Sequence, residues 1–192
     1  MNIKMTTANK ITLVRVALIP IYIVFAYFQT IPCYVAAFVI FTAASITDGI
    51  DGHVARKYNQ ITNLGKIIDP LADKLLTISA FAVFVAQDRM NSIVLILIIA
   101  RELAITSLRV IAADEGIIIA ANFSGKLKTV FQITGILCML GLPVIFEITN
   151  SLWGFRVDMC IYDEIIAWTI AAVTVGSGID YMIKSKGLLK NK

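Results

Sequence analysis

Hydrophobic residues along this chain occur in long runs that are separated by short polar stretches. A bilayer core about 30 Å thick is crossed by roughly 20 helical residues. Six segments are long and apolar enough for such a crossing, with boundaries set to within a few residues. They are 11–29, 33–50, 67–87, 92–113, 127–147 and 163–183. The pattern predicts an all-α integral membrane protein with about six transmembrane helices.

The first two runs form one charge-free stretch from Val16 to Thr47, which is too long for a single span. Proline restricts its own backbone and that of the residue before it. We therefore predict that the chain breaks at Thr30-Ile31-Pro32. The first apolar run also continues past any small-residue cleavage signature, so we expect no cleavable signal peptide.

Composition supports a membrane protein, because 58% of the residues are hydrophobic and 16% are charged. Soluble domains have roughly 45–50% apolar and about 25% charged residues. No linker, low-complexity tract or convincing repeat divides the sequence, so we interpret residues 1–192 as a single domain.

Lysine and arginine are distributed unequally between the two sides of the predicted membrane. One side receives Lys4, Lys10, Arg56, Lys57, Lys66, Lys126, Lys128, Lys184, Lys186, Lys190 and Lys192. The other side receives only Arg89 and Arg156. The positive-inside rule then predicts that both termini and the 51–66 loop are cytoplasmic. We interpret the net charge of +4 as a topology signal that can attract anionic membrane lipid, and we expect no nucleic-acid partner.

Four aspartates lie near the cytoplasmic ends of the second and third predicted spans, where a charged side chain is costly and indicates function. Asp48 and Asp51 are three residues apart, and Asp69 and Asp73 are four apart, so each pair shares a helix face. Because the two spans are consecutive and antiparallel, the four carboxylates can converge. Grouped carboxylates repel one another unless they are protonated or bound to cations. The pattern favours a site for Mg²⁺ or Mn²⁺ that serves a phosphate-bearing substrate.

Residues 48–73 read D-G-I-D-G-H-V-A-R, then eight residues, G, three residues, D, three residues and D. This resembles the signature of the CDP-alcohol phosphatidyltransferases, D-x2-D-G-x2-A-R-x8-G-x3-D-x3-D. All eight fixed positions match, and they are Asp48, Asp51, Gly52, Ala55, Arg56, Gly65, Asp69 and Asp73.

The resemblance implies a six-helix, usually homodimeric membrane enzyme that displaces CMP from CDP-diacylglycerol with an alcohol. It implies that two divalent cations are held by Asp48, Asp51, Asp69 and Asp73. It also implies that Asp73 deprotonates the acceptor hydroxyl. The donor contacts carried over by the resemblance are Asn9, Thr12, Gly52, Arg56, Thr62 and Gly65.

The acceptor alcohol is indicated by looser similarities outside the motif. A-N-K-I-T-L-V-R near the start, D-P-L-A-D-K-L-L at 69–76, A-R-E-L-A-I-T-S-L-R at 100–109 and S-G-K-L-K-T at 124–129 resemble bacterial family members that use glycerol 3-phosphate. A dianionic phosphate needs cationic partners. We expect Arg109, Lys126 and Lys128 to bind it, although both lysines are also compatible with membrane anchoring. Arg101 has an acidic neighbour, and we expect Glu102 to neutralise it.

Three other interpretations stay open at this point. The same fold can use inositol phosphate, serine or phosphatidylglycerol as its acceptor. A divalent-cation transporter also has carboxylates within the membrane, although here they cluster at one face and no acidic residues continue a path through the other half. A catalytically inert membrane partner is disfavoured by the intact motif.

Overall fold

A computed structural model of the chain describes residues 7–57, 63–114, 123–153 and 159–190. Side chains are described for residues 12–47, 72, 74–114, 123–152 and 159–185. The described residues form six α-helices, and each predicted span overlaps one of them. The helices are α1 (Thr7–Tyr27), α2 (Ile31–Lys57), α3 (Asn63–Ala86), α4 (Ser92–Asp114), α5 (Phe123–Trp153) and α6 (Met159–Lys190).

The predicted break between the first two spans is confirmed. Residues 28–30 separate α1 from α2, although α1 ends two residues before the predicted boundary. The N–H of Tyr34 donates to the carbonyl of Thr30 at 2.9 Å and begins the hydrogen bonding of α2. Pro32 lies in the first turn of α2. The N–H groups of a first turn have no partner within the helix, so the missing N–H of Pro32 costs no helical hydrogen bond.

The helices extend further than the apolar runs predicted, and this corrects the 51–66 loop. The end of α2 at Lys57 and the start of α3 at Asn63 place most of that segment in helix. Helices α5 and α6 contain 31 and 32 residues, compared with the roughly 20 needed to cross lipid. Hydropathy identifies only the part of a helix that is apolar enough to lie in lipid. Polar residues at the ends of the helix still form its backbone hydrogen bonds, so the helix continues beyond the apolar run.

Among the described residues, two helical segments are both long and apolar enough to cross a membrane. They are Phe123–Leu152 and Met159–Ser185, in which the mean hydropathy of an 18-residue window reaches 2.0 and 1.4. Helix α4 adds an apolar stripe, because Ile96, Leu103 and Val110 follow one another at heptad spacing and are each more than 60% exposed. Contiguous exposed apolar surface of this kind is typical of a membrane-facing or partner-facing helix.

The chain forms two compact units. The first contains residues 1–83 and 136–157, and the second contains residues 84–135 and 158–192. In the first unit α1 packs against α2, where Tyr22 and Phe41 are fully buried with ring centroids 5.6 Å apart. The small fully buried residues Ala37 and Ala44 lie on the same helix as Phe41 and allow the two backbones to approach. The prediction of one domain remains a prediction.

In the second unit the helices alternate in direction, as successive membrane crossings require. Arg101 contacts Ser177 and Arg109 contacts Tyr181, so α4 and α6 run in the same direction. Helix α5 runs the opposite way, because its early residue Ser124 contacts Asp180 of α6, whereas the later Gln132 contacts Thr174, and Gly135 lies against Ile170.

Two glycines of this unit lie where another helix approaches closely. A Cβ on Gly135 would collide with Ile170 of α6, and one on Gly178 would lie 2.8 Å from Cγ of Arg101. By contrast, a Cβ on Gly176 would meet no atom within 4 Å among the described residues. The missing side chains of Gly135 and Gly178 therefore allow close packing, whereas Gly176 has room for a side chain.

Candidate functional site

The aspartate motif lies on two consecutive helices of the first unit. Asp48 and Asp51 belong to the continuous helix α2, and Asp69 and Asp73 belong to α3. The predicted spacings of three and four residues therefore fall within uninterrupted helix. The side chains of these residues lie outside the described set, so the convergence of their carboxylates remains a prediction.

The predicted donor contacts fall mainly outside the described side chains. This holds for Asn9 on α1, Gly52 and Arg56 on α2 and Gly65 on α3, while Thr62 lies outside the described residues altogether.

Thr12, the remaining predicted donor contact, is described and is 1% exposed near the start of α1. Arg15 follows one turn later on the same helix face and is equally buried. The sequence interpretation assigned no role to Arg15. The signal was available, since this is an ionisable residue inside the predicted span 11–29.

A buried cluster of charges in the second unit is centred on Glu102 of α4. Its Oε1 accepts from Nζ of Lys128 at 2.5 Å and lies 3.4 Å from Nη1 of Arg101. All three side chains are about 11% exposed. The expectation that Glu102 neutralises Arg101 is confirmed, and Lys128 is a second partner that the sequence did not indicate. The predicted contact of Lys128 with an acceptor phosphate is untested, and in this structure its ammonium group is paired with Glu102.

Hydrogen bonds extend this cluster to α6. Nη2 of Arg101 donates to Oγ of Ser177 at 3.2 Å, and that hydroxyl donates to the carbonyl of Thr174 at 2.8 Å. Nε2 of Gln132 donates to Oγ1 of Thr174 at 3.4 Å. These contacts hold α4, α5 and α6 in one register, and the buried trio of Arg101, Glu102 and Lys128 carries one net positive charge.

Arg109 lies two turns beyond Glu102 on α4 and is exposed. Its Nε donates to Oη of Tyr181 at 3.1 Å, and its guanidinium carbon lies 5.3 Å from the centroid of the Tyr181 ring. The phenol is 3% exposed and therefore offers a fixed surface. Arg109 is thus oriented by α6 while its outer edge remains accessible.

The residue before Tyr181 on α6 holds the beginning of α5. Asp180 accepts a hydrogen bond of 2.8 Å from Oγ of Ser124 and an ion pair of 2.7 Å from Lys184. Lys126 follows Ser124 by two residues and is exposed. Two adjacent residues of α6, Asp180 and Tyr181, therefore fix the two segments that carry Lys126 and Arg109.

At the other end of this unit, Arg89 forms a buried ion pair with Asp163 of α6. The two nitrogen–oxygen distances are 2.7 and 3.1 Å, a bidentate arrangement, and the guanidinium lies over the Phe84 ring. Asp88, with a φ of 56°, ends α3, because the N–H of Arg89 then reaches the carbonyl of Phe84. The sequence indicated only that Arg89 lies on the non-cytoplasmic side, since its partner is 74 residues away.

Residues 5–176 match the family model described as CDP-alcohol phosphatidyltransferase. The chain belongs to the CDP-alcohol phosphatidyltransferase family. This confirms the all-α membrane fold and the phosphatidyltransferase class of enzyme that the motif indicated.

Curated relatives of this phosphatidyltransferase cover nearly its whole length. A protein of Bacillus subtilis is 39% identical over 95% of this chain and 96% of its own, and it is named CDP-diacylglycerol–glycerol-3-phosphate 3-phosphatidyltransferase. Relatives with the same name from Rickettsia prowazekii and Haemophilus influenzae are each 33% identical. They cover 94% and 93% of this chain and 96% and 92% of their own.

Proposed function

We propose that this enzyme transfers the phosphatidyl group of CDP-diacylglycerol to glycerol 3-phosphate and releases CMP. The product is phosphatidylglycerophosphate, an intermediate of anionic phospholipid synthesis. The observation that carries the proposal is the 39% identity with the Bacillus subtilis enzyme over 95% of the chain, because the reaction is part of that relative's name. The complete aspartate motif on α2 and α3 supports the same chemistry.

The proposed site holds two divalent cations, Mg²⁺ or Mn²⁺, through Asp48, Asp51, Asp69 and Asp73. The donor set fits such ions, because hard cations prefer carboxylate oxygens and the four residues lie on two uninterrupted helices. When bound, the cations would neutralise the pyrophosphate of the donor and improve CMP as a leaving group.

The residues of the chain supply the remaining chemistry. Asp73 accepts the proton of the acceptor hydroxyl, whose oxygen forms a bond to the phosphorus of the phosphatidyl group as the bond to CMP breaks. Asn9, Thr12, Gly52, Arg56, Thr62 and Gly65 are the proposed contacts of CDP-diacylglycerol. Arg56 suits a phosphate oxygen, because its guanidinium provides several donors in a fixed plane.

The proposed acceptor site uses Arg109, Lys126 and Lys128 of the second unit. Arg109 and Lys126 are exposed, and α6 fixes both of the segments that carry them. A cationic site of this kind suits a dianionic phosphate and gives little advantage to serine. Lys128 can contribute positive charge to the site from its position beside Glu102.

The proposed setting is the cell membrane, with both termini and the active site on the cytoplasmic side and the enzyme acting as a homodimer. The orientation is supported by the excess of lysine and arginine on that side of the predicted spans. The homodimer is what the resemblance to the family implies. An active site at the cytoplasmic surface of the membrane lets the acyl chains of the donor stay in lipid while its nucleotide enters from water.

The proposal is tested with purified enzyme, CDP-diacylglycerol and a panel of acceptors in mixed micelles. We expect CMP release with glycerol 3-phosphate, loss of release on chelation and recovery when Mg²⁺ or Mn²⁺ is restored. CMP release with inositol phosphate, serine or phosphatidylglycerol but not with glycerol 3-phosphate would contradict the proposed acceptor. Full activity in excess chelator would contradict the metal site.

A further inference from the structure

The contact between Arg109 and Tyr181 is built differently from the other cationic contacts of the second unit. Arg101 and Lys128 are buried and share the carboxylate of Glu102. Arg109 is exposed and is held by a neutral group, since Nε donates to Oη of Tyr181 at 3.1 Å. Its positive charge is therefore oriented without being cancelled by that partner.

The geometry leaves one side of the guanidinium open. An arginine side chain has five N–H donors in one plane, and Tyr181 occupies the donor on Nε. The four donors on Nη1 and Nη2 have no recorded partner among the residues that the structure describes. These two nitrogens form the edge that binds phosphate in a bidentate manner.

The Tyr181 ring fixes the plane of that edge. The phenol is 3% exposed, so it is held by its surroundings, and the guanidinium lies over it at 5.3 Å. A cation over an aromatic face is attracted by the quadrupole of the ring. The ring limits tilting of the guanidinium group, and the hydroxyl limits its rotation. Arg109 therefore loses less conformational entropy when it binds a ligand. Lys126 is also exposed, but the contacts between cations and aromatic rings among the described residues involve Arg89 and Arg109 and do not include it.

We propose that Tyr181 is a positioning residue of the acceptor site, which orients Arg109 so that Nη1 and Nη2 face the phosphate of the acceptor. This inference rests on the proposed function. It adds a specific role for α6, which contains none of the motif residues.

The test is a double-mutant cycle between Tyr181→Phe and Arg109→Ala, with the KM of each substrate and kcat measured. Tyr181→Phe keeps the buried ring and removes the hydrogen bond. We expect it to raise the KM for glycerol 3-phosphate by about three- to tenfold and to leave the KM for CDP-diacylglycerol unchanged. In the Arg109→Ala background the same change should have no further effect, since its target is absent.

The matched control is Tyr34→Phe, which removes a hydroxyl from a phenol that is 5% exposed in the first unit. It should leave both KM values unchanged. An unchanged KM for glycerol 3-phosphate in Tyr181→Phe would overturn the inference. The same would follow from an equal rise with and without Arg109, because Tyr181 would then act independently of it.

Should Tyr181→Phe fail to fold, as judged by thermal unfolding in detergent, Arg109→Lys replaces it in the same assay. This variant keeps the charge and removes the planar fork, and it should raise the KM for glycerol 3-phosphate by a similar factor. An unchanged value would contradict the positioning role.

Failure of the inference is distinguishable from failure of the proposed function. If the wild-type enzyme uses a different phosphorylated alcohol, the proposed acceptor is wrong and the same cycle on that alcohol decides the role of Tyr181. If the enzyme uses only an alcohol without phosphate, both are overturned.

Discussion

The two compact units of the molecule differ in how their acidic side chains are placed. In the first unit the motif places four aspartates on two consecutive helices, a grouping of carboxylates that favours bound cations. In the second unit Glu102 lies between Arg101 and Lys128, and Arg89 is paired with Asp163, so most of the buried charge is neutralised from within. Carboxylates grouped together favour a bound cation, whereas carboxylates paired with buried cations hold helices together.

Arg109 illustrates this distinction within the second unit. It is oriented by a phenol, and no carboxylate lies within ion-pair distance of it in the described ranges. In the neighbouring buried cluster, by contrast, Arg101 and Lys128 share the carboxylate of Glu102. The described contacts therefore distinguish the charges around Glu102, which join helices, from Arg109, which can bind an anion.

The largest expected effect is on catalysis and comes from the first unit. Asp73→Asn removes the proposed base and one metal ligand, and we expect CMP release to fall by about a thousandfold or more while the protein still folds. Asp88→Asn is the matched control, because it makes the same chemical change in the exposed turn after α3, where asparagine also tolerates a φ of 56°. Unchanged turnover in Asp73→Asn would refute the assigned role.

The next effect is on stability and comes from the second unit. Glu102→Leu leaves two buried cations without their carboxylate, and we expect the free energy of unfolding to fall by about 3 kcal/mol. The double variant Glu102→Leu/Lys128→Leu should recover part of that loss, because only one cation is then left. Chemical unfolding in detergent measures both, and Glu147→Leu, an exposed position on α5, should change stability by less than about 0.5 kcal/mol. Equal losses in Glu102→Leu and Glu147→Leu would show that the buried cluster does not stabilise the unit.

A smaller effect is expected where α4 and α6 approach each other. Gly178→Ala places a Cβ 2.8 Å from Cγ of Arg101, and the far end of that side chain is anchored by Glu102 and Ser177. The added methyl group should therefore cost about 1–2 kcal/mol of unfolding free energy. Gly176→Ala is the control two residues away, where no described atom lies within 4 Å of the new Cβ, so it should be neutral or slightly stabilising. Identical thermal midpoints for the two variants would contradict the close approach.

The helices were predictable because each is built around a continuous apolar run, and the aspartate motif was predictable because its residues lie within 26 positions of one another. The ends of α2, α3, α5 and α6 were not, since polar turns continue a helix beyond the lipid. Arg15 was visible as a charge within a predicted span and was overlooked. The pairings of Arg89 with Asp163 and of Arg109 with Tyr181 join residues more than 70 positions apart, and the tertiary fold alone brings them together.

The central claim is the transfer of a phosphatidyl group to glycerol 3-phosphate, and its most direct test follows labelled glycerol 3-phosphate into product. Purified enzyme in mixed micelles with CDP-diacylglycerol and Mg²⁺ should convert the label into a lipid-soluble phosphatidylglycerophosphate, with one CMP released for each label transferred. Label that stays in the aqueous phase, while another alcohol is incorporated into lipid under the same conditions, would contradict the account.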